Sequence, residues 1–312
     1  MQSPEITPAN WAMIATLGFV WGATFLFIEI ALTGITPFWL AGGRIGFACL
    51  LTTAFWMWRG RRVFLTEETA WTALFLSGVL NSAVPFMLLS WGQQTVTSGF
   101  AGVSMAAVAL MVLPLAHVFV PGERMSLRRV FGFAVGFAGV TVLLGGQVFA
   151  SSGDPLEPFG RLACLGAAAC YAISSIIVRK LPPIDSFGLA ATTLIFGSLV
   201  VLPAAFVVEG VPQMPPLNIL LIIAVLGLLP TAGANLLRVL VIRSAGPVFM
   251  SLVNYQVPMW SVVLGIVILG EPFKPILLLA LALILSGLFI SQWGALRRLF
   301  GGKERPEVTP SS

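Results

Sequence analysis

WAMIATLGFVWGATFLFIEIALTGITPFWLAGGRIGFACLLTTAFWMWRGRR, residues 11–62, decides the fold. Two long apolar runs are joined by the short turn Thr33-Gly34-Ile35-Thr36-Pro37, and the second run stops at Arg59, Arg61 and Arg62. Before that basic cluster the only charges are Glu29 and Arg44. A helix needs about 20 apolar residues to cross the hydrocarbon of a bilayer. The stretch therefore reads as a pair of membrane-crossing helices that ends in a basic loop.

The rest of the chain repeats the pattern. Of its 312 residues 58% are hydrophobic and 9% charged, with a mean hydropathy of +0.98. A water-soluble domain carries about 25% charged residues, so this chain's solvent is mostly lipid. Ten spans are expected, at about 11–32, 37–58, 70–91, 99–121, 130–149, 160–179, 187–208, 218–239, 246–269 and 276–295. Trp11, Trp39, Trp58, Trp71 and Trp293 fall near span ends, where aromatic belts form. With the N-terminus in the cytoplasm, Arg59, Arg61, Arg62, Arg124, Arg128, Arg129, Arg179, Lys180, Arg238, Arg243, Arg297, Arg298, Lys303 and Arg305 stand at or beyond cytoplasmic ends. Only Arg161 and Lys274 stand at the outer face, so both termini are expected inside.

Several function classes drop out at this level. The net charge of +5 is scattered through loops, which argues against nucleic acid. Cys49, Cys164 and Cys170 lie inside spans and lack metal-ligand spacing, so no metal or disulfide framework is expected. No basic region and cleavage site precede the first span, which is expected to remain as a helix. One histidine rules out a two-histidine zinc site, and no phosphate-binding loop of the G-x-x-x-x-G-K-[ST] type exists. No cofactor is implied, and an enzyme is not expected.

The two halves resemble each other. Gly122-Glu123 and Gly270-Glu271, Gly139-Val140 and Gly287-Leu288, and Leu17-Gly18 and Leu165-Gly166 are all 148 residues apart. Five spans is an odd number, so tandem copies must be inverted. The expected fold is all-α, with ten transmembrane helices as two inverted five-helix repeats, residues 1–150 and 151–296, followed by a disordered cytoplasmic tail, 297–312. Inverted repeats suit a transporter, because exchanging the conformations of two like halves turns an inward-open state into an outward-open one.

An ordered set of motifs carries a family resemblance: Trp21-Gly22-Ala23-Thr24-Phe25, Leu40-Ala41-Gly42-Gly43-Arg44, Cys170-Tyr171-Ala172-Ile173-Ser174-Ser175, Ala245-Gly246-Pro247 and Leu269-Gly270-Glu271-Pro272. Together they resemble EamA-type members of the drug/metabolite transporter superfamily over essentially the whole chain, and within it YddG-type amino-acid exporters. The resemblance implies a central cavity lined by spans one to four and six to nine, and export of small metabolites across a bacterial inner membrane. Pro258, twelve residues before Gly270, has Leu110 as its counterpart, with Pro114 four residues on.

Ionisable groups inside a bilayer are functional candidates by default. Glu29 and Arg44 are expected to pair or to face the cavity together, with Arg44 on a substrate carboxylate and Glu29 on an ammonium or a proton; a structural ion pair is the alternative. Asn254-Tyr255-Gln256 stands before Pro258, which frees a backbone carbonyl near 254. These are read as substrate ligands or as interhelical hydrogen-bond partners. Asn81 with Pro85, and Asn235 with Pro230, are read as cavity-wall amides beside hinge prolines, Pro258 being the third hinge. Trp21, Trp91, Tyr171 and Trp260 are candidates to stack on a substrate or to fill space. The run Gly132, Gly136, Gly139 reads as a helix-packing surface or a dimer contact, giving a monomer or weak dimer.

The expected function is amino-acid export by alternating access, with aromatic and other small metabolites among possible cargoes. The partners are a small-molecule substrate and the lipid bilayer. Efflux of drugs or cationic compounds is the alternative within transport, and a membrane receptor or scaffold is the alternative outside it.

Overall fold

A computed structural model describes residues 6–145 and 154–300. Its ten spans are α1 (Pro8–Ala31), α2 (Pro37–Trp58), α3 (Trp71–Gly92), α4 (Ser98–Phe119), α5 (Leu127–Gly145), α6 (Glu157–Arg179), α7 (Ser186–Glu209), α8 (Leu217–Met250), α9 (Val253–Leu269) and α10 (Pro275–Phe300). Among the described residues nine are long and apolar enough to cross a membrane, and α9 is the shorter tenth.

Local chemistry sets the starts. Thr7 and Asn10 form a reciprocal cap ahead of Pro8, and Thr97 and Asp185 cap α4 and α7 by accepting first-turn N–H groups. Pro8 and Pro37 occupy the first turns, where a missing N–H costs nothing. The start of α2 is capped from another helix: Glu209, at the end of α7, accepts from Thr36 Oγ1 (2.5 Å), Phe38 N (2.9 Å) and Trp39 N (3.1 Å).

Two ends differ from the sequence expectation. α8 does not stop near 239; it runs to a break at Gly246 (φ 87°, ψ 163°), and its last turn leads into α9 without an exposed loop. Arg238 therefore sits inside a span. α10 continues through Arg297 and Arg298 to Phe300, four residues into the expected tail. The remaining tail, with Lys303 and Arg305, and the expected junction of the halves at 150 lie outside the described residues.

Eight helices close a ring in the order α2, α8, α1, α9, α4, α6, α3, α7, and back to α2. α5 and α10 pack on each other outside it, against α4. Exchanging each helix of α1–α5 with its counterpart in α6–α10 leaves the order unchanged, so the fold has the two-fold relation of inverted repeats. Helices consecutive in sequence need not touch, and α8 stands between α1 and α2, with Ile28, Leu40, Ile223 and Leu226 sharing one buried cluster. The Gly132, Gly136, Gly139 run faces α10 so closely that a methyl on Gly132 would stand 2.6 Å from Gly287 O. That surface is used within the chain, which removes it as a dimer contact.

Both halves leave α-helical register at corresponding places, Val79–Ala83 in α3 and Gly227–Gly233 in α8, with starts 148 residues apart. Each is a π turn beside a proline. Pro230 has no N–H for Leu226 O four residues back. Thr231 Oγ1 donates to that carbonyl instead, at 2.8 Å. In α3 the Val84 N–H reaches back five residues to Val79 O, immediately before Pro85.

Candidate functional site

Arg44 organises the centre of the ring. Its side chain leaves α2 and is buried, 7% exposed. Nε donates to Thr231 Oγ1 at 2.8 Å, and the guanidinium lies 3.8 Å from the centroid of the Phe86 ring on α3. Tyr171 on α6 is close enough to interact with its charge. Among the described residues no carboxylate lies within ion-pair distance of Arg44. A buried cation without a counter-ion is costly, and here only one hydroxyl and one aromatic face offset the cost. A planar donor fork held this way suits a carboxylate supplied from outside the protein.

The π turn of α8 holds this group in place. Pro230 O accepts from Trp21 Nε1 at 3.0 Å, Thr231 Oγ1 accepts from Arg44, and Thr231 O accepts from Asn235 Nδ2 at 2.5 Å. Thus Trp21, Arg44, Pro230 and Asn235 converge on one turn, with Tyr171 across the ring. Thr231 and Phe86 were missed in the sequence; each follows a hinge proline directly, which was the available signal.

The other candidates separate by helix face. Glu29 does not pair with Arg44, because α8 intervenes and Arg44 turns toward α8, α3 and α6. Glu29 instead accepts from Gln93 Nε2 at 3.4 Å, while the same nitrogen donates to Phe25 O at 2.9 Å. Gln256 faces α1, where Gly18 leaves room for it. Tyr255 lines a groove of about 440 Å³ with Phe289, Trp293 and Arg297, and its hydroxyl is buried. Trp260 packs edge-on against Phe19 at 5.3 Å, and both rings are substantially exposed on the outer flank of α1 and α9. Tyr255 and Trp260 thus lie away from the Arg44 group. Trp91 is half-buried near the end of α3, at the same end as Glu29. Asn81, in the α3 π turn, and Asn254 are exposed, as are Ser175, one turn beyond Tyr171, and Arg238, about two turns beyond Thr231. Polar side chains at span depth face water or protein rather than lipid. Asn254, Ser175 and Arg238 lie nearer than Arg44 to the end of the molecule that carries Glu123.

The EamA-like transporter family matches residues 10–145 and again 158–293. The chain belongs to this family. It is a membrane transporter with a small-molecule substrate, not an enzyme. Over 312 residues it is 27% identical to the "Uncharacterized inner membrane transporter YedA" of Escherichia coli (strain K12), covering 99% of this chain and 97% of that one. It is 26% identical to the "Uncharacterized transporter YvbV" of Bacillus subtilis (strain 168), covering 88% and 89%. It is 24% identical to a "Probable terminal-alkyne amino-acid exporter" of Streptantibioticus cattleyicolor, covering 98% and 99%. A solved crystal structure shares the fold with a TM-score of 0.65 at 20% identity, covering 93% of this chain and 99% of that one.

The two ends of this EamA-like transporter differ. At the Glu271 end α4 and α9 cross tightly: Gly99, Gly102, Ser261 and Gly265 lie in the seam, and Glu271 accepts from Ser98 N (2.7 Å) and Gly99 N (3.1 Å) at the start of α4. At the Glu123 end the facing positions of the same helices are exposed. Asn254, Pro258, Ser261 and Gly265 share one face of α9, and the last three are buried while Asn254 is exposed. On α4, Gly99, Gly102 and Ala106 are buried and His117 is exposed. Glu123 itself bridges Arg179 (2.7 Å) and Arg129 (3.2 Å), and hydrogen bonds from Arg179 and then Arg129 hold its carboxyl below the usual carboxylate range. Here α2 and α7 remain joined by a pairing of their loops, Leu65 N to Pro183 O and Asp185 N to Val63 O, both 2.9 Å.

Proposed function

We propose that this protein exports amino acids, or small metabolites that share their carboxylate, by alternating access. The observation that carries the reading is Arg44, a buried guanidinium inside a span with one hydroxyl partner and, among the described residues, no carboxylate within ion-pair distance. Arg238 is a second cation inside a span. Asn81, Asn235 and Asn254 offer carbonyls for an ammonium, and Trp21, Phe86 and Tyr171 supply apolar surface for a side chain. One deep cation with scattered amides fixes the common part of an amino acid and leaves its side chain loosely read, so the substrate range is broad.

Positive-inside counting supports placing the Glu123 end and both termini in the cytoplasm, which makes this conformation inward-open. The relatives described as transporters include one described as an amino-acid exporter, which supports the substrate class. Arg44 and Arg238 lie inside spans and, among the described residues, neither is ion-paired with a carboxylate, which argues against cationic drugs, since like charge would repel them. The two halves, residues 1–150 and 151–296, are the moving units, in a monomer or weak dimer.

Counterflow into proteoliposomes tests the reading. Vesicles loaded with an unlabelled amino acid accumulate labelled threonine, methionine, phenylalanine or lysine faster than empty ones. No acceleration with any of them, from folded protein, would remove amino acids as the substrate class.

A further inference from the structure

We propose that Glu271 and Glu123 are reciprocal latches of the two gates, and that Pro247 weakens the Glu123 latch so that the unloaded protein rests with the Glu271 gate shut. This rests on the alternating-access reading above and adds the residues that hold each state. Glu271 follows a left-handed glycine, Gly270 (φ 68°), at the end of α9, and its two carboxylate oxygens accept the Ser98 and Gly99 N–H groups. Those N–H groups belong to the first turn of α4, where helical partners are lacking. The bonds tie the end of α9 to the start of α4 and close the seam between them. Gly122 (φ 83°) and Glu123 stand 148 residues earlier, at the end of α4. The same offset carries Ser98 to Gly246 and Gly99 to Pro247.

An exchange of the two halves' conformations therefore brings the Glu123 carboxylate to the residues around Gly246 that begin the ninth crossing. In the present state Glu123 is elsewhere, bound to Arg129 and Arg179, and at its end His117 of α4 and Asn254 of α9 are exposed. The latches are chemically unequal. Glu271 meets two backbone donors, whereas Glu123 would meet one, since Pro247 has no N–H. Leaving Arg129 and Arg179 also costs Glu123 two charge-assisted contacts, whereas among the described residues no ion pair holds Glu271. Both differences favour the conformation described here.

Spin-label distance measurements on unloaded protein in lipid nanodiscs test the proposal independently of any substrate. In a background with Cys49, Cys164 and Cys170 replaced, one label pair at Gln94 and Phe273 reports the Glu271 gate, and a second at Val118 and Arg243 reports the other. The parent protein gives a short first distance and a long second one. Glu271→Gln lengthens the first and shortens the second in a substantial fraction of molecules. Pro247→Ala, which restores the missing donor, shortens the second distance while leaving Glu271 intact. If Glu271→Gln does not fold, Pro247→Ala decides alone. Unchanged distances in every folded variant overturn the proposal. Failed counterflow beside shifted distances would instead fault the substrate class and leave the latches standing.

Discussion

At the residue scale, Arg44 stands out as a buried cation with no carboxylate partner among the described residues. In a structural ion pair, each partner would balance the other, and losing one would strand a charge. Here Arg44→Ala removes a cation that the protein itself does not neutralise. The expected outcome is a thermal midpoint within a few degrees of the parent together with loss of transport. Truncating one partner of a buried charge pair costs about 2–5 kcal/mol, so apparent affinity for an amino acid falls about 30-fold or more, at 1.4 kcal/mol per tenfold. Arg44→Lys keeps the charge but loses the planar fork and the Nε contact with Thr231, and retains partial activity. Thr231→Val behaves differently. It removes the donor to Leu226 O and the acceptor for Arg44 Nε together. Leaving buried polar groups unsatisfied costs about 1–3 kcal/mol, so it weakens both unfolding resistance and substrate affinity. Thermal unfolding and counterflow on the same preparations separate these two signatures.

At the element scale, the π turns carry the site. Pro230→Ala returns an N–H to Leu226 O and lets α8 wind as an α-helix. That change relieves the helix and rotates Thr231 and Asn235 away from Arg44. The expected result is equal or higher thermal stability with transport reduced at least tenfold, a loss of function without loss of fold. Glu209 offers the opposite case. From the end of α7 it caps α2 by accepting three hydrogen bonds, none of them from a residue of the Arg44 group. Glu209→Ala leaves those donors to water and lowers stability by about 1–3 kcal/mol, while substrate affinity in the remaining folded protein is unchanged. Apolar run length located these elements, because lipid demands long apolar stretches. It ended α8 too early at Arg238, because a charge inside a span looks like the edge of one. It placed Asn81, Pro85, Pro230 and Asn235 at hinges, but could not tell a π turn from a kink, since both follow from the same missing N–H.

At the scale of the whole molecule, the repeat was legible in the 148-residue offset, and the basic loops gave an orientation. The neighbours of each helix were not. Glu29 and Arg44 lie on consecutive spans and at similar depth, which made a pair attractive. The ring places α8 between those spans, and only the closed order of eight helices reveals it. The same order explains why Tyr255 and Gln256 meet different neighbours, α10 and α1, while Asn254 is exposed. Orientation has its own test. Cysteines introduced at Arg62 and Lys180 in a cysteine-free background should be labelled by an impermeant maleimide only from the cytoplasmic side, and one at Gln94 only from outside.

The most direct test of the central claim compares substrates that differ only in the group Arg44 is said to hold. Counterflow is measured with an amino acid, with the amine left by removing its carboxylate, and with its carboxamide, for the parent protein and for Arg44→Ala. The account predicts exchange of the amino acid by the parent alone, with the amine and the carboxamide at least tenfold poorer and Arg44→Ala inactive toward all three. Equal exchange of amine and amino acid, or undiminished amino-acid exchange by folded Arg44→Ala, would contradict it.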